Sequence, residues 1–352
     1  MNNNYFIMNT NYILQGEWFS YLAWFILITL HIIDSVYYNI DAAFMGFITS
    51  VLVIYIGVTR KSNLHCKHFN IKESLDFIDV ICYPLLNVFQ LVILYVLIAK
   101  MNYANEVNMI IKLYYCLNGP LSLSFIIYDN IKQMFPNLIN DTIVITLSKC
   151  RIVNLRTIYI RKGDVICFMF MIILGGLYLQ NNHWLLSNLF SICIAITSIS
   201  SLKINTLYNG IIFLILFAIY DVVFVFYTPI MNTVASQINS PMKMIFPTMK
   251  KDSFSIIGLG DIIIPGIYLS TLFHYDYNLN IQYNNKDKEN TVHFSFWNFI
   301  YFHMGIIAYV LGVFFSYTAV IVFHTTQPAL IYIVPFCMFI TLITFIIKRI
   351  FK

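Results

Sequence analysis

Two aspartates stand inside long apolar runs of the chain. Asp221 follows Phe217-Ala218-Ile219-Tyr220 and precedes Val222-Val223-Phe224-Val225-Phe226. Asp261 ends Ile257-Gly258-Leu259-Gly260-Asp261 and precedes Ile262-Ile263-Ile264-Pro265-Gly266. Each run is long enough to cross a bilayer. A charged side chain at bilayer depth costs about 2.5 to 3.5 kcal/mol on insertion scales, so an acid there normally has a task. The connection over 232–253 is short enough to keep the two runs neighbours and antiparallel, with both carboxyl groups near mid-helix and able to face each other. Two carboxylates a few ångströms apart do not both ionise easily, so such a pair shares one proton. Its ionised member can take a proton from a water while its protonated member polarises a peptide carbonyl, which is the chemistry of an aspartic dyad.

Other residues could shape such a pair. Gly258 and Gly260 flank Leu259 just before Asp261 and permit either close helix approach or a local departure from the helix. Taken alone, two glycines in an apolar run more often serve packing. Gln327-Pro328-Ala329-Leu330 opens the last apolar run. Pro328 lacks an N–H and disfavours helix in the residue before it, so an extended segment near the membrane edge is expected, able to pair with an unwound substrate as an added strand. The plainer alternative is a proline at a helix start.

The elements that must carry these residues follow from composition. Of 352 residues, 59% are hydrophobic and 11% charged; the mean hydropathy is +0.75. Soluble domains carry about 25% charge, so the chain is a polytopic membrane protein and the bilayer is its first partner. Net charge is +5, without a basic cluster interleaved with aromatics, so nucleic acid is excluded as a partner. The seven cysteines form no CxxC pair and are expected to be small buried hydrophobes. His65-Cys66-Lys67-His68 lacks a second ligand pair and reads as a solvated turn, so no metal is expected. His293, His303 and His324, and Asp34, Asp41, Asp79 and Asp129, lie near span edges and are assigned no catalysis.

Nine runs are expected to be transmembrane helices: approximately 40–58, 78–99, 107–128, 165–180, 184–201, 208–231, 254–273, 304–323 and 328–347, since lipid offers the backbone no hydrogen-bond partner. Trp18 to Ile33 is apolar but short, and is either a signal sequence or an extra helix at or partly in the membrane. Residues 129–163 and 275–296 read as cytosolic connections. With the segment before the first span lumenal, 16 of the 21 Lys and Arg residues fall on the cytosolic side and Lys100, Lys112, Lys243, Lys250 and Lys251 on the other. That asymmetry orients the chain, C-terminus cytosolic. The sequon Asn140-Asp141-Thr142 is then cytosolic and stays unmodified.

Tyr220-Asp221 in one span, Gly258-Leu259-Gly260-Asp261 in the next and Pro328-Ala329-Leu330 in the last resemble the presenilin and signal peptide peptidase superfamily of intramembrane GxGD aspartyl proteases. Pro241-Met242-Lys243-Met244-Ile245-Phe246-Pro247, His183-Trp184 with Asn188-Leu189-Phe190, and Gln327 to Pro335 narrow the resemblance to the signal peptide peptidase branch. It covers roughly 40–347 and is tightest from 183 onward. It implies an all-α, presenilin-like bundle of nine transmembrane helices in the endoplasmic reticulum membrane, with Asp221 and Asp261 catalytic. Tyr220, Gly258, Leu259, Gly260, Gln327, Pro328, Ala329 and Leu330 would shape the site and bind substrate. Substrates would be membrane-spanning peptides such as remnant signal peptides and type II segments. No cofactor is implied, and self-association into a homo-oligomer is left open. The expected organisation is a polar and hydrophobic lead over 1–38 and one protease domain over 39–352, with 183–347 its catalytic part. The first 38 residues match nothing in the family, and Ile350 stands where a dilysine retrieval signal needs lysine. The alternative is a non-proteolytic membrane protein, either an ion or proton transporter or a degradation scaffold.

Overall fold

Apolar runs in lipid must close their own hydrogen bonds, and the computed structural model of the chain answers with helices. It describes residues 10–37, 41–63, 73–134, 143–147, 158–181, 183–228, 230–238, 243–247, 254–286, 299–323 and 327–350. Among the described residues eleven α-helices are formed: α1 Thr10–Tyr37, α2 Ala42–Asn63, α3 Phe77–Tyr95, α4 Ala104–Met134, α5 Lys162–Asn181, α6 Trp184–Ser201, α7 Leu207–Val222, α8 Ile230–Gln237, α9 Gly260–Lys286, α10 Ile300–Phe323 and α11 Leu330–Ile350. Short strands join them in three ribbons. β1 Glu73–Leu75 pairs in parallel with β4 Leu202–Ile204; β2 Ile143–Leu147 pairs antiparallel with β3 Ile158–Arg161, and β5 Lys243–Pro247 with β6 Phe254–Gly258. The protein is an all-α polytopic membrane bundle, and among the described residues eight helices have the length and composition to cross a membrane.

Eight of the nine expected runs match these spans. The ninth, 254–273, divides. Its first residues form strand β6, and the helix begins only at Gly260 and continues to Lys286. The cytosolic connection expected over 275–296 is therefore helical in its first part. Residues Pro265 to His274 of α9 are buried without interruption. A helix buried all round must lie inside the bundle rather than face lipid; α9 packs against α2, α6, α7, α10 and α11. Tyr268, Leu269 and Leu272 are at most 1% exposed.

The N-terminal apolar segment belongs to a 28-residue helix, α1, packed against α2. Asp34 in it is buried rather than placed at an exposed span edge. Asp129 is likewise engaged: it receives a 2.7 Å bond from Arg60 Nη2, which also donates to the Phe125 carbonyl. His65-Cys66-Lys67-His68, Asn140-Asp141-Thr142, Pro241, His293 and His324 lie outside the described residues.

Helices α10 and α11 meet at a glycine. A Cβ built on Gly312 would stand 2.6 Å from the Ile333 Cα, and backbone cannot yield as a flexible side-chain tip can. Gly312→Val is expected to separate the two helices and to cost about 1–3 kcal/mol. Thermal unfolding in detergent, compared with Ala308→Gly on the same helix, measures it; an unchanged midpoint for Gly312→Val would show that the close approach is not needed.

Candidate active site

Asp221 lies on the last turn of α7. The next five residues, Val223–Tyr227, form a π-helical turn, and Thr228 is extended. Wide turns of this kind are frequent at functional sites. Here the chain must leave the helix before Pro229, which disfavours helix in the residue before it. Asp221 is 4% exposed. It stands nearer the end of its helix than the middle expected from hydropathy.

The register between α7 and α9 follows from a close contact one helix-length away. A Cβ on Gly210 would meet Thr271 Oγ1 at 3.1 Å and Tyr268 Cδ2 at 3.2 Å, so the absent side chain lets α7 lie against α9 there. From Gly210 to Asp221 the helix rises about 16 Å, and from Thr271 back to Asp261 about 15 Å. Antiparallel helices matched at the first point are therefore matched at the second. The Asp261 carboxyl duly lies within electrostatic reach of Asp221.

Asp261 occupies the first turn of α9, not the mid-helix position expected. Strand β6 ends at Gly258, Leu259 receives the N–H groups of Ile262 and Ile263 on its carbonyl (3.2 and 3.0 Å), and the helix starts at Gly260. Gly258 and Gly260 thus mark a change from strand to helix, the local departure foreseen as one of two options. A Cβ on Gly258 would approach Asp261 Oδ2 to 3.1 Å, so only glycine leaves that carboxyl oxygen uncrowded.

Pro265 stands four residues after Asp261 inside α9. It has no N–H, so the Asp261 carbonyl loses its helical partner. The buried Tyr309 hydroxyl takes that place, donating to Asp261 O at 3.4 Å. Tyr309→Phe is expected to lower turnover about 2- to 10-fold through a looser Asp261, within the range of one neutral hydrogen bond, while α10 keeps its packing. Steady-state cleavage kinetics check this, and an unaltered kcat would refute it.

The segment before α11 reaches the same place. Gln327 and Pro328 are outside helix, Ala329 is in a turn and α11 begins at Leu330. Pro328 and Leu330 are buried, and the Leu330 N–H donates to Asp221 Oδ2 at 3.2 Å. The segment lies beside Asp221 within the bundle. A helix start offers free N–H groups. The following ones turn inward, Tyr332 and Ile333 bonding to Ala329 O at 3.1 and 3.2 Å, which leaves Leu330's for the acid. Tyr220 is partly buried with its ring 5.0 Å from that of Phe224 and 6.3 Å from that of Phe217.

A family model described as signal peptide peptidase matches residues 67–352. The chain belongs to the signal peptide peptidase family. It is 28% identical over 305 residues to the signal peptide peptidases of Mus musculus and Homo sapiens, covering 82% of this chain and 75% of each relative. It is 34% identical over 214 residues to a probable intramembrane protease of Saccharomyces cerevisiae, covering 58% of this chain and 35% of that one. No solved structure matches it. As a member of the signal peptide peptidase family the chain is an intramembrane aspartic protease, acting on membrane-embedded peptides in a bilayer.

All ten residues singled out from the sequence of this signal peptide peptidase family member come from three places: the end of α7, the start of α9 and the start of α11. Tyr309 was not among them. Its only trace in the sequence is Pro265, four residues after the acid, which announces an orphan carbonyl but not its partner. The π turn after Asp221 was also missed.

Proposed function

We propose that Asp221 and Asp261 are the catalytic pair and that the chain hydrolyses peptide bonds within membrane-spanning segments, remnant signal peptides and type II segments among them, in the endoplasmic reticulum membrane. The observation that carries this reading is the meeting of two acids from neighbouring antiparallel helices, with the Leu330 N–H on one of them. Held as an acceptor by Leu330, Asp221 Oδ2 keeps that carboxyl turned towards its partner. A water between the carboxyls loses a proton to one and attacks the peptide carbon, while the other gives its proton to the carbonyl oxygen. Collapse of the tetrahedral intermediate reverses the roles: the breaking C–N bond takes a proton at nitrogen, and the pair returns to one shared proton. Gly258, Leu259 and Gly260 shape the Asp261 side, Tyr220 the Asp221 side, and Gln327, Pro328, Ala329 and Leu330 support the active arrangement and the substrate.

A substrate helix must open before its carbonyl can be reached. Strand β6 leads into Asp261, and among the described residues its outer edge pairs with no strand; an unwound substrate could add there as a further strand. The loop charges support an orientation with the N-terminal side in the lumen and the C-terminus in the cytosol. Residues 39–352 form the protease domain, 183–347 its catalytic part, and 1–38 a lead. The chemistry requires no cofactor. Incubation of purified protein with a labelled signal peptide, followed by mass mapping of the products, tests the function: cleavage inside the apolar segment is expected, and proton or cation flux in liposomes without cleavage would favour a transporter instead.

A further inference from the structure

Asn188 lies in α6 with none of its surface exposed. A primary amide in an apolar bundle is costly unless its groups are paired. Asn188 pairs both ends with one residue of β5: Nδ2 donates to the Ile245 carbonyl at 2.9 Å, and Oδ1 accepts the Ile245 N–H at 2.9 Å. These are the two bonds a neighbouring antiparallel strand would make. The side chain of a helix residue thus acts as one more rung on the ribbon.

The register says which edge this rung closes. Ile245 stands opposite Ile256, with Met244 opposite Ile257 and Phe246 opposite Ser255. Because Ile245 turns both backbone groups to Asn188, the Ile245–Ile256 pair is of the non-hydrogen-bonded kind, and Ile256 turns its own groups to the far edge. The ribbon has one buried face, carrying the fully buried Met244 and Phe246, and one outer face, carrying Ile256, which is 53% exposed. The outer edge of β5 is therefore closed by α6, and among the described residues no strand pairs with the other edge, that of β6, which runs through Gly258 into Gly260 and Asp261.

We propose that Asn188 is a positioning residue for the hydrolysis: its amide clamp anchors the β5–β6 hairpin to α6 and so sets the height and direction at which Asp261 enters α9. The proposal rests on the reading of Asp221 and Asp261 as the catalytic pair. Through the hairpin it also sets which peptide bond of an added substrate strand comes opposite the acids. Asn188 touches no reacting atom itself.

The test uses the full chain in detergent with a labelled membrane-spanning peptide. Asn188→Leu keeps the branched shape and removes both polar groups. Ile245→Pro removes the N–H from the other side of the clamp at a position whose N–H takes no part in the β5–β6 ladder, and changes no residue of α6. Each is expected to lower kcat about 10- to 100-fold, the loss that an ångström-scale misplacement produces, with KM little changed and the cleaved bond displaced along the peptide. The double variant is expected to be no worse than the poorer single one, since both changes break the same contact. If Asn188→Leu fails to fold, Ile245→Pro carries the test alone. Cleavage of the original bond at wild-type kcat, with only a lower melting midpoint, would overturn the clamp as a positioning device, as would strictly multiplying losses. Loss of cleavage in Asp221→Ala and Asp261→Ala beside an unaffected Asn188→Leu would sink the clamp and leave the catalytic pair standing. Cleavage by the Asp variants would sink the pair itself.

Discussion

Asp221→Ala and Asp261→Ala are each expected to reduce cleavage of a membrane-spanning peptide by at least about 10⁴-fold, the scale seen when one member of a catalytic unit is removed. The two effects do not multiply, because a lone carboxyl has no partner with which to share a proton, and the double variant is as inactive as either single one. Neither change unfolds the bundle. Asp221 gives up one bond, from Leu330, and an alanine removes an acid whose presence between helices α7 and α9 opposes their packing rather than supporting it. Detergent-solubilised yield and melting midpoint should therefore match wild type while product formation disappears. Turnover within tenfold of wild type in either variant contradicts the assignment.

The second large effect isolates one hydrogen bond. Leu330 is the first residue of α11, and its N–H goes to Asp221 Oδ2. Proline is well tolerated at the first helical position, where its fixed φ suits the helix and its missing N–H is no loss to the helix itself. Leu330→Pro thus deletes the donor and little else of the backbone. Both Leu330→Pro and Leu330→Ala lose the buried leucine side chain, so the alanine variant measures that shared cost. Leu330→Pro is expected to be slower than Leu330→Ala by about 10- to 100-fold in kcat, through a carboxyl no longer held in place. Equal rates for the two would mean that the Leu330 N–H does not hold Asp221.

What could be read from the sequence was what lipid penalises. Eight spans and both acids stood out because a charge or a long apolar run at bilayer depth has few explanations. The start of α9 did not. Phe254-Ser255-Ile256-Ile257-Gly258 is apolar, and a short apolar run reads alike whether it is a buried strand or the first turns of a helix. Hydropathy reports the edge of the hydrocarbon and not the end of a helix, which is why α9 runs on to Lys286 through residues that read as a loop. Tyr309 and Asn188 were opaque for another reason. Each serves a backbone group far away in the chain, Asp261 O and the Ile245 peptide unit, and such partners are set by packing that no local pattern encodes. The register of Gly210 on α9, which brings the acids level, belongs to the same class.

The pairing of the two acids is tested most directly by titrating purified protein with a hydroxyl-bearing isostere of the hydrolysed peptide bond, in wild type, Asp221→Asn and Asp261→Asn. One isostere bound per wild-type chain, cleavage blocked in step with occupancy, and binding lost in both variants is the expected result. Undiminished binding in either variant, or peptide cleavage that persists when the isostere is saturating, would mean that the two carboxyls do not work as one site.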